Sequence, residues 1–455
     1  RTACGPALTA NRTMGALWGI VASRIARAFR IGGPSFTVSA EETSGLRALE
    51  SGVRALQQNE LDQVIVGAVD LASDLRAVAG HIDRRSLDCV ADGATAFILK
   101  RHDDAERDGD KVYALIKGIG AASAGGCDEL ITDQSAQVLS IQNACSDAAC
   151  HLDSIDQLYH AADDNELNIP ALPNVQSFKL GHSGAANGLM NVASAVSSLT
   201  SHLLPANNDS KTRYWLKDRV DGPRCSLVNS TSVDGNSVSV VLEEAGAILK
   251  TQVNKQKLFM LAADNKEKLL KQLQSLTFQD QVSSHKGDCR VAILVRDEDD
   301  FNTACQQAIH AINNNESINN GRCFYSTEPL AKEGKVAFVY PGSGNHFWGM
   351  GQELGVAFLE VLERLNNENE RLASQFAKVR FWSGDDGKEL SHEEVIFGQV
   401  WLGTFVSDVI SSFNIKPDAI IGYSLGETAG FFSTRTWQAR DEMLERIQQS
   451  SLFTK

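Results

Sequence analysis

The stretch "PDAIIGYSLGETAGFF" (residues 417–432) constrains this chain more than any other. An apolar strand over Asp418–Tyr423 runs into Gly422-x-Ser424-x-Gly426, and a helix opens at Leu425. A strand turns into a helix over so few residues only through a strained backbone, which the flanking glycines permit. The turn lifts the Ser424 hydroxyl above the sheet, and the helix aims its unpaired amides and positive dipole end at the same point. Apolar strands alternate with helical spacing elsewhere too, so the fold class is α/β.

Two further turns follow the same plan. "VAFVYPGSG" is a strand over 336–340 running into a glycine-rich turn, where backbone amides approach a substrate oxygen without Cβ interference. "GPSFTVSAEETSG" (33–45) reads as a strand over Phe36–Val38, with Leu46, Leu49, Val53 and Leu56 at helical spacing behind it. A nucleophile placed there would gain from the helix N-terminus, yet the turn carries Glu41 and Glu42. A carboxylate cannot form a thioester.

The chain has 455 residues, room for two or three domains, and a formal net charge of −14. That acidity argues against nucleic acid or an anionic membrane as partner, since both need a basic patch. No apolar run approaches the ~18 residues of a membrane span. The nine cysteines are scattered without a C-x-x-C pair, so no disulfide framework and no metal site is expected. Reduced thiols place the chain in the cytoplasm. Arg1 stands first with no Met before it, which suggests a piece of a longer protein.

Strands are expected at 61–72, 93–101, 112–122 and 237–244, and a small-residue helix at 183–199. Two strand–helix units, "KLFMLAADNKEKLLKQL" with Asp264 as cap and "RVAILVRDEDDFNTACQQAIHAI", form a separate small unit over 250–334. From Lys335 the pattern begins again.

These segments carry a family resemblance. "GPSFTVSAEETSGLRALESGVRALQQNELDQVIVGAVD" resembles the active-site segment of ketoacyl synthases, and "DGATAFILKRHDDAERDGDKVYALIKG" their strand–turn–strand segment. "KLGHSGAANG" and "SVDGNSVSVVLEE" resemble their histidine and C-terminal glycine-rich motifs. Residues 250–334 resemble the linker between ketosynthase and acyltransferase. "VAFVYPGSGNHFWGMGQEL" and "PDAIIGYSLGE" resemble two motifs of acyl carrier protein acyltransferases. The combination is most similar to the acyltransferase subunit of bacterial polyunsaturated fatty acid synthases.

The resemblance implies a thiolase-like layered α/β ketosynthase-like domain over 1–249, lacking its N-terminal part. A small α/β linker over 250–334 and the start of an α/β-hydrolase-like acyltransferase domain over 335–455 follow, the last without its C-terminal part. It assigns Ser424 as nucleophile, with Leu425 and Ser343 giving the oxyanion-hole amides; Ser343 stands where the family has Gln. Tyr423 replaces the usual His before the nucleophile. Gln449 falls where malonyl transferases carry an arginine, and Arg446, three residues earlier, is a candidate substitute. In the other half, Glu42 falls on the condensing Cys, Ser177 on the lysine, and His182 and His160 on the two histidines. Condensation is excluded, and the half reads as a dimerising scaffold rather than a decarboxylase in which Glu42 mimics an acylated Cys. No bound cofactor is implied; coenzyme A donors and the phosphopantetheine of acyl carrier protein domains are substrates, with other synthase subunits as partners. The general-base His of the family lies downstream of the elbow, whereas the last His here is His392. A non-catalytic chain-length-factor-like scaffold and a general serine hydrolase are the competing readings.

Overall fold

The computed structural model describes residues 9–15, 17–71, 73, 91–125, 135–160, 176–179, 182–206, 211–246, 256–280, 287–327, 334–376 and 391–450. The chain divides into two compact units, Arg1–Leu249 and Lys250–Lys455.

The first unit opens with helices α1 (Ala10–Gly15) and α2 (Val21–Phe29), followed by α3 (Ser44–Gln57). The strand expected over Phe36–Val38 does not form. Those residues lie outside any ladder, and Phe36 is 61% exposed. An apolar extended run becomes a strand only beside a partner edge, and none is offered among the described residues. Strands β1 (Gln63–Leu71) and β2 (Asp92–Lys100) pair antiparallel, Gln63 opposite Lys100. Helix α3 covers one face of this pair, because Leu46 and Leu49 on its apolar stripe pack with Val64, Val66 and Ala68.

Helix α4 (His102–Asp108), β3 (Ala114–Ser123), α5 (Ser135–Asp147), β4 (Gln157–His160), β5 (Gln176–Lys179) and α6 (Asn187–Ser201) follow. After the short pair β6 (Leu203–Leu204) and β7 (Arg213–Tyr214) come β8 (Cys225–Thr231) and β9 (Asn236–Glu244). Strands β3, β9, β8, β4 and β5 form one five-stranded sheet in that order. The β8–β4 and β4–β5 pairs are parallel, the others antiparallel. Helix α5 packs its Ile141 and Ala144 with Leu158, Leu227 and Val241 on one face, and α6 packs its Leu189, Val192 and Leu199 with Tyr159, Val228 and Val240 on the other. The layers are therefore hairpin, helices, sheet and helix, a layered α/β fold.

Strand β9 ends in a buried ionic cluster. The Glu244 carboxylate lies 3.0 Å from His202 Nε2 and 2.9 Å from Arg224 Nη1, and also accepts the Arg224 amide at 2.9 Å. Burial alone would raise the Glu244 carboxyl above its ordinary 4.5; the His202 and Arg224 contacts outweigh it and hold the group at about 2. A depressed carboxyl stabilises the fold above its unfolded pKa, and that stability is lost as pH falls from about 4.5 toward 2. Glu244→Gln should therefore lose about 2–3 kcal/mol at pH 7 and flatten the acid limb below pH ~4.5. Denaturant melts of both forms at pH 7 and pH 3 test this.

The second unit begins with β10 (Lys257–Ala263), α7 (Lys266–Ser275), β11 (Cys289–Val295), α8 (Glu298–Asn314), β12 (Ile318–Asn319) and β13 (Cys323–Tyr325). The sheet order is β10-β11-β13-β12, all antiparallel, and Phe259, Leu269, Ile293, Phe301 and Cys323 share one core. The cap of α7 is Asn265, whose side chain accepts the Lys268 amide at 2.9 Å. Asp264, expected to cap, instead bonds the Lys268 ammonium, since it stands one residue too early for the helix amides.

Strand β14 (Ala337–Tyr340) precedes α9 (Gln352–Ala357), α10 (Leu359–Glu368), α11 (Leu372–Gln375) and α12 (His392–Ser412). Then come β15 (Ala419–Gly422), α13 (Leu425–Ser433) and α14 (Arg440–Gln449). Helix α12 starts in a capping box between Ser391 and Glu394. Contrary to the expectation that no run reaches that length, it is long and apolar enough to cross a membrane, but its Phe397, Trp401, Leu402, Phe405 and Val409 are buried in this unit. Trp401 packs its ring at a tilt against both Phe376 and Phe405.

Candidate active site

Strands β14 and β15 pair in parallel with Tyr340 opposite Gly422, so both strands end at the same level. The Tyr423 amide donates to the Tyr340 carbonyl at 3.1 Å. Ser424 then takes φ 53° and ψ −117°, a left-handed conformation that is strained for a residue with a Cβ. It is held because α13 starts immediately: the Gly426 amide donates to the Tyr423 carbonyl and the Glu427 amide to the Ser424 carbonyl. Gly426 is required by close approach, since a Cβ there would overlap the Tyr340 carbonyl oxygen. The strained serine stands exposed at the sheet edge with the Leu425 amide beside it.

The turn after β14 reaches the same place. A Cβ at Gly342 would lie 2.9 Å from the Tyr423 ring, which puts Ser343 next to the elbow. The structure thus brings Ser424, Leu425, Ser343 and Tyr423 together, and Tyr423 is 78% exposed. Arg446 and Gln449 both lie exposed on α14. The Arg446 guanidinium is 78% exposed and already bonded to Glu442 at 2.5 Å, one turn earlier on its own helix. No contact among the described residues takes either side chain to the elbow.

In the first unit, Glu42 is 6% exposed. Its carboxylate accepts the Val233 amide at 3.1 Å, and its carbonyl accepts the Ser230 hydroxyl at 3.1 Å. The turn is closed by Ser44, whose hydroxyl donates to the Glu41 carbonyl at 2.6 Å and accepts the Ala40 amide at 2.9 Å. His182 lies just before the N-terminal end of α6, its carbonyl accepting the Ala91 amide at 2.8 Å. Helices α3 and α6 meet at that end. A Cβ on Gly45 would lie 3.0 Å from Leu189 and 3.1 Å from the Ala185 carbonyl, and one on Gly188 2.6 Å from Leu46. The Ala185 amide is held by Asp70 of β1 at 2.8 Å. The Glu42 turn and the His182 motif are thereby brought together.

His160 is placed differently. It ends β4 opposite Asn229 of β8, and Ser177 stands opposite Leu158 in β5. The Asn229 amide bonds Ser237 and Ser239 at 3.0 and 2.9 Å, and the Ser140 hydroxyl of α5 joins the same serines. Ser230, which meets Glu42, points to the opposite face, because side chains alternate along a strand. His160 and Glu42 therefore sit on opposite faces of the sheet. Grouping them was an error of register: sequence spacing locates the strand end but not the face.

Sequence reading missed Val233, which meets Glu42 across 191 positions and whose role belongs to the backbone. Among the described residues no cysteine lies at the Glu42 turn. Cys145 and Cys225 lie around α5, and burial pushes both thiols up to about 12. Among the described residues no group of three or more His, Cys, Asp or Glu side chains is arranged to hold a metal.

Residues 5–97 match the family profile "Beta-ketoacyl synthase, N-terminal domain". The chain is 23% identical to a non-reducing polyketide synthase, PKS19, of Phaeosphaeria nodorum, over 89% of this chain and 27% of that protein. It is 24% identical to the pikromycin polyketide synthase component PikAIII of Streptomyces venezuelae, over 94% of this chain and 31% of that protein. Among solved structures, the ketosynthase from module 6 of the bacillaene synthase of Bacillus subtilis aligns with a TM-score of 0.47 at 18% identity. That alignment covers 85% of this chain and 76% of that one. The chain spans under a third of the length of these two curated relatives. It carries a ketosynthase-type segment and is similar to polyketide synthases over most of its own length.

Proposed function

We propose that this chain is the acyltransferase subunit of a polyunsaturated fatty acid or polyketide-type synthase, carrying a condensation-inactive ketosynthase-like scaffold. One observation carries the reading: Ser424 is held at positive φ on a strand–helix elbow, with the glycine-rich turn of β14 packed against Tyr423. The Ser424 hydroxyl attacks the thioester carbonyl of an acyl- or malonyl-coenzyme A, and the amides of Ser343 and Leu425 receive the oxyanion. Collapse breaks the C–S bond and leaves a serine ester, while the serine proton passes through a general base to the departing thiolate. The phosphopantetheine thiol of an acyl carrier protein then attacks the ester, and the proton returns to Ser424. The reading assigns the base to a histidine downstream of the elbow. Incubation with malonyl- or acyl-coenzyme A should add the acyl mass to the peptide that carries Ser424, and holo acyl carrier protein should remove it. An adduct on another peptide, or none, overturns the assignment.

The reading includes a cytoplasmic location and a dimer through the ketosynthase-like half. A second reading, a chain-length-factor-like scaffold docked on an active ketosynthase, is favoured by Glu42. Its carboxylate is buried and bonded to the Val233 amide, so a fixed charge fills the turn. Glu42→Cys alone should yield no ketoacyl product, because His160 faces away from that turn and Ser177 stands at the family's lysine position. Detectable condensation product from this single variant, by mass spectrometry, would show the pocket intact.

A further inference from the structure

The turn that carries Ser343 is not held by its own strand alone. Its Asn345 side chain donates to the Gly342 carbonyl at 3.3 Å, which closes the turn on itself. The end of the Gln399 carboxamide lies 3.1 Å from the backbone nitrogens of both Asn345 and His346; both are donors, so the carboxamide oxygen is assigned to that end, where it accepts from each. Gln399 sits on α12 between the buried Val400 and the buried Gly398, two residues before Trp401, whose ring packs against Phe376 and Phe405. The same helix reaches β14 a second time, where Ser407 meets the Tyr340 hydroxyl at 2.8 Å. Helix α12 therefore meets both the strand and the turn on either side of Pro341.

We propose that Gln399 is a positioning residue for acyl transfer at Ser424, holding the Gly342–His346 turn so that the Ser343 amide points at the oxyanion; this rests on the acyltransferase reading. An oxyanion donor works only within hydrogen-bond reach of the developing charge, and losing one typically lowers the rate 10²–10³-fold. Gln399 touches neither substrate nor nucleophile. It acts by offering one acceptor to two adjacent backbone amides of the turn, which removes the freedom of the turn to tilt away. Substrate binding is made elsewhere, so the effect belongs in the maximal rate of ester formation and not in the half-saturating donor concentration.

The test uses Gln399→Leu and Gln399→Glu in the full-length protein. Leucine keeps the volume and removes the acceptor; glutamate keeps acceptor oxygens. Gln399→Leu should lower the maximal rate of Ser424 ester formation about tenfold to a hundredfold, with the half-saturating coenzyme A ester concentration changed less than about twofold. Gln399→Glu should stay within about threefold of wild type. Amide hydrogen exchange across residues 343–347 should be faster in the leucine form and near wild type in the glutamate form, with α12 peptides unchanged. Unchanged exchange and rate in Gln399→Leu overturn the proposal. So does a loss shared equally by both variants with faster exchange throughout α12, which marks a role in stability alone. If wild type itself forms no ester, the acyltransferase reading fails, and exchange across 343–347 still decides whether Gln399 holds the turn.

Discussion

Ser424→Ala is expected to abolish covalent loading of the full-length protein by malonyl- and acyl-coenzyme A, a fall of at least about 10³-fold in adduct formation. Ser424 is the hydroxyl that the fold raises out of the sheet, and the strain at φ 53° is backbone strain that alanine bears in the same way. The hydrogen bonds that build the turn run through main-chain atoms of Tyr340, Tyr423, Ser424, Gly426 and Glu427, none of which the substitution removes. Thermal unfolding should therefore match wild type while the acyl mass disappears from intact-protein spectra. Persistent labelling of the alanine form would place the nucleophile elsewhere. The pairing of lost chemistry with kept stability is what separates a nucleophile from a structural serine.

Gly426→Val is expected to fail in the opposite manner, losing stability and chemistry together. A Cβ at residue 426 would overlap the Tyr340 carbonyl oxygen, with the Tyr340 carbonyl carbon at 2.7 Å and the Pro341 carbonyl oxygen at 2.9 Å. All three are main-chain atoms, so no rotamer change relieves the clash, and α13 must move off β14. Overpacking of this kind costs about 3 kcal/mol or more, and the displacement carries Leu425 and Ser424 away from Ser343. Denaturant unfolding followed by the Trp401 and Trp437 fluorescence should show the loss, alongside absent adduct. A valine form as stable and as readily acylated as wild type would mean that the helix does not start where the structure places it.

The two variants differ in how far the sequence foretells them. The elbow was legible because everything that makes it is local: an apolar run, two glycines at fixed spacing and a helix start lie within about ten residues. The strands 61–72, 93–101 and 237–244 were legible for the same reason, their apolar content being their own. The helix cap at residue 264 was misread by one position, since Asp264 and Asn265 are both good caps and only the helix start decides between them. Phe36–Val38 has the composition of a strand and no ladder, because a ladder is a property of two segments.

Glu42 was visible as a carboxylate in a strand–helix turn, and no property of a single segment revealed the Val233 amide that its carboxylate accepts. His160 was visible as a strand-end histidine, while its face was set by its register against Asn229. Gln399 lies in an apolar helix with nothing around it in sequence to mark it, and its two amide partners sit more than fifty positions earlier. The sequence by itself determined the alternation of strands and helices, the strand–helix elbow at Ser424 and the carboxylates of the Glu41–Glu42 turn, since each rests on residue type and short spacing. The tertiary structure alone decided which backbone amides meet Glu42 and Gln399 and which face His160 takes. Hydrogen bonds are directional and reach only about 3 Å, so they depend on register and packing between segments that the chain order does not place side by side.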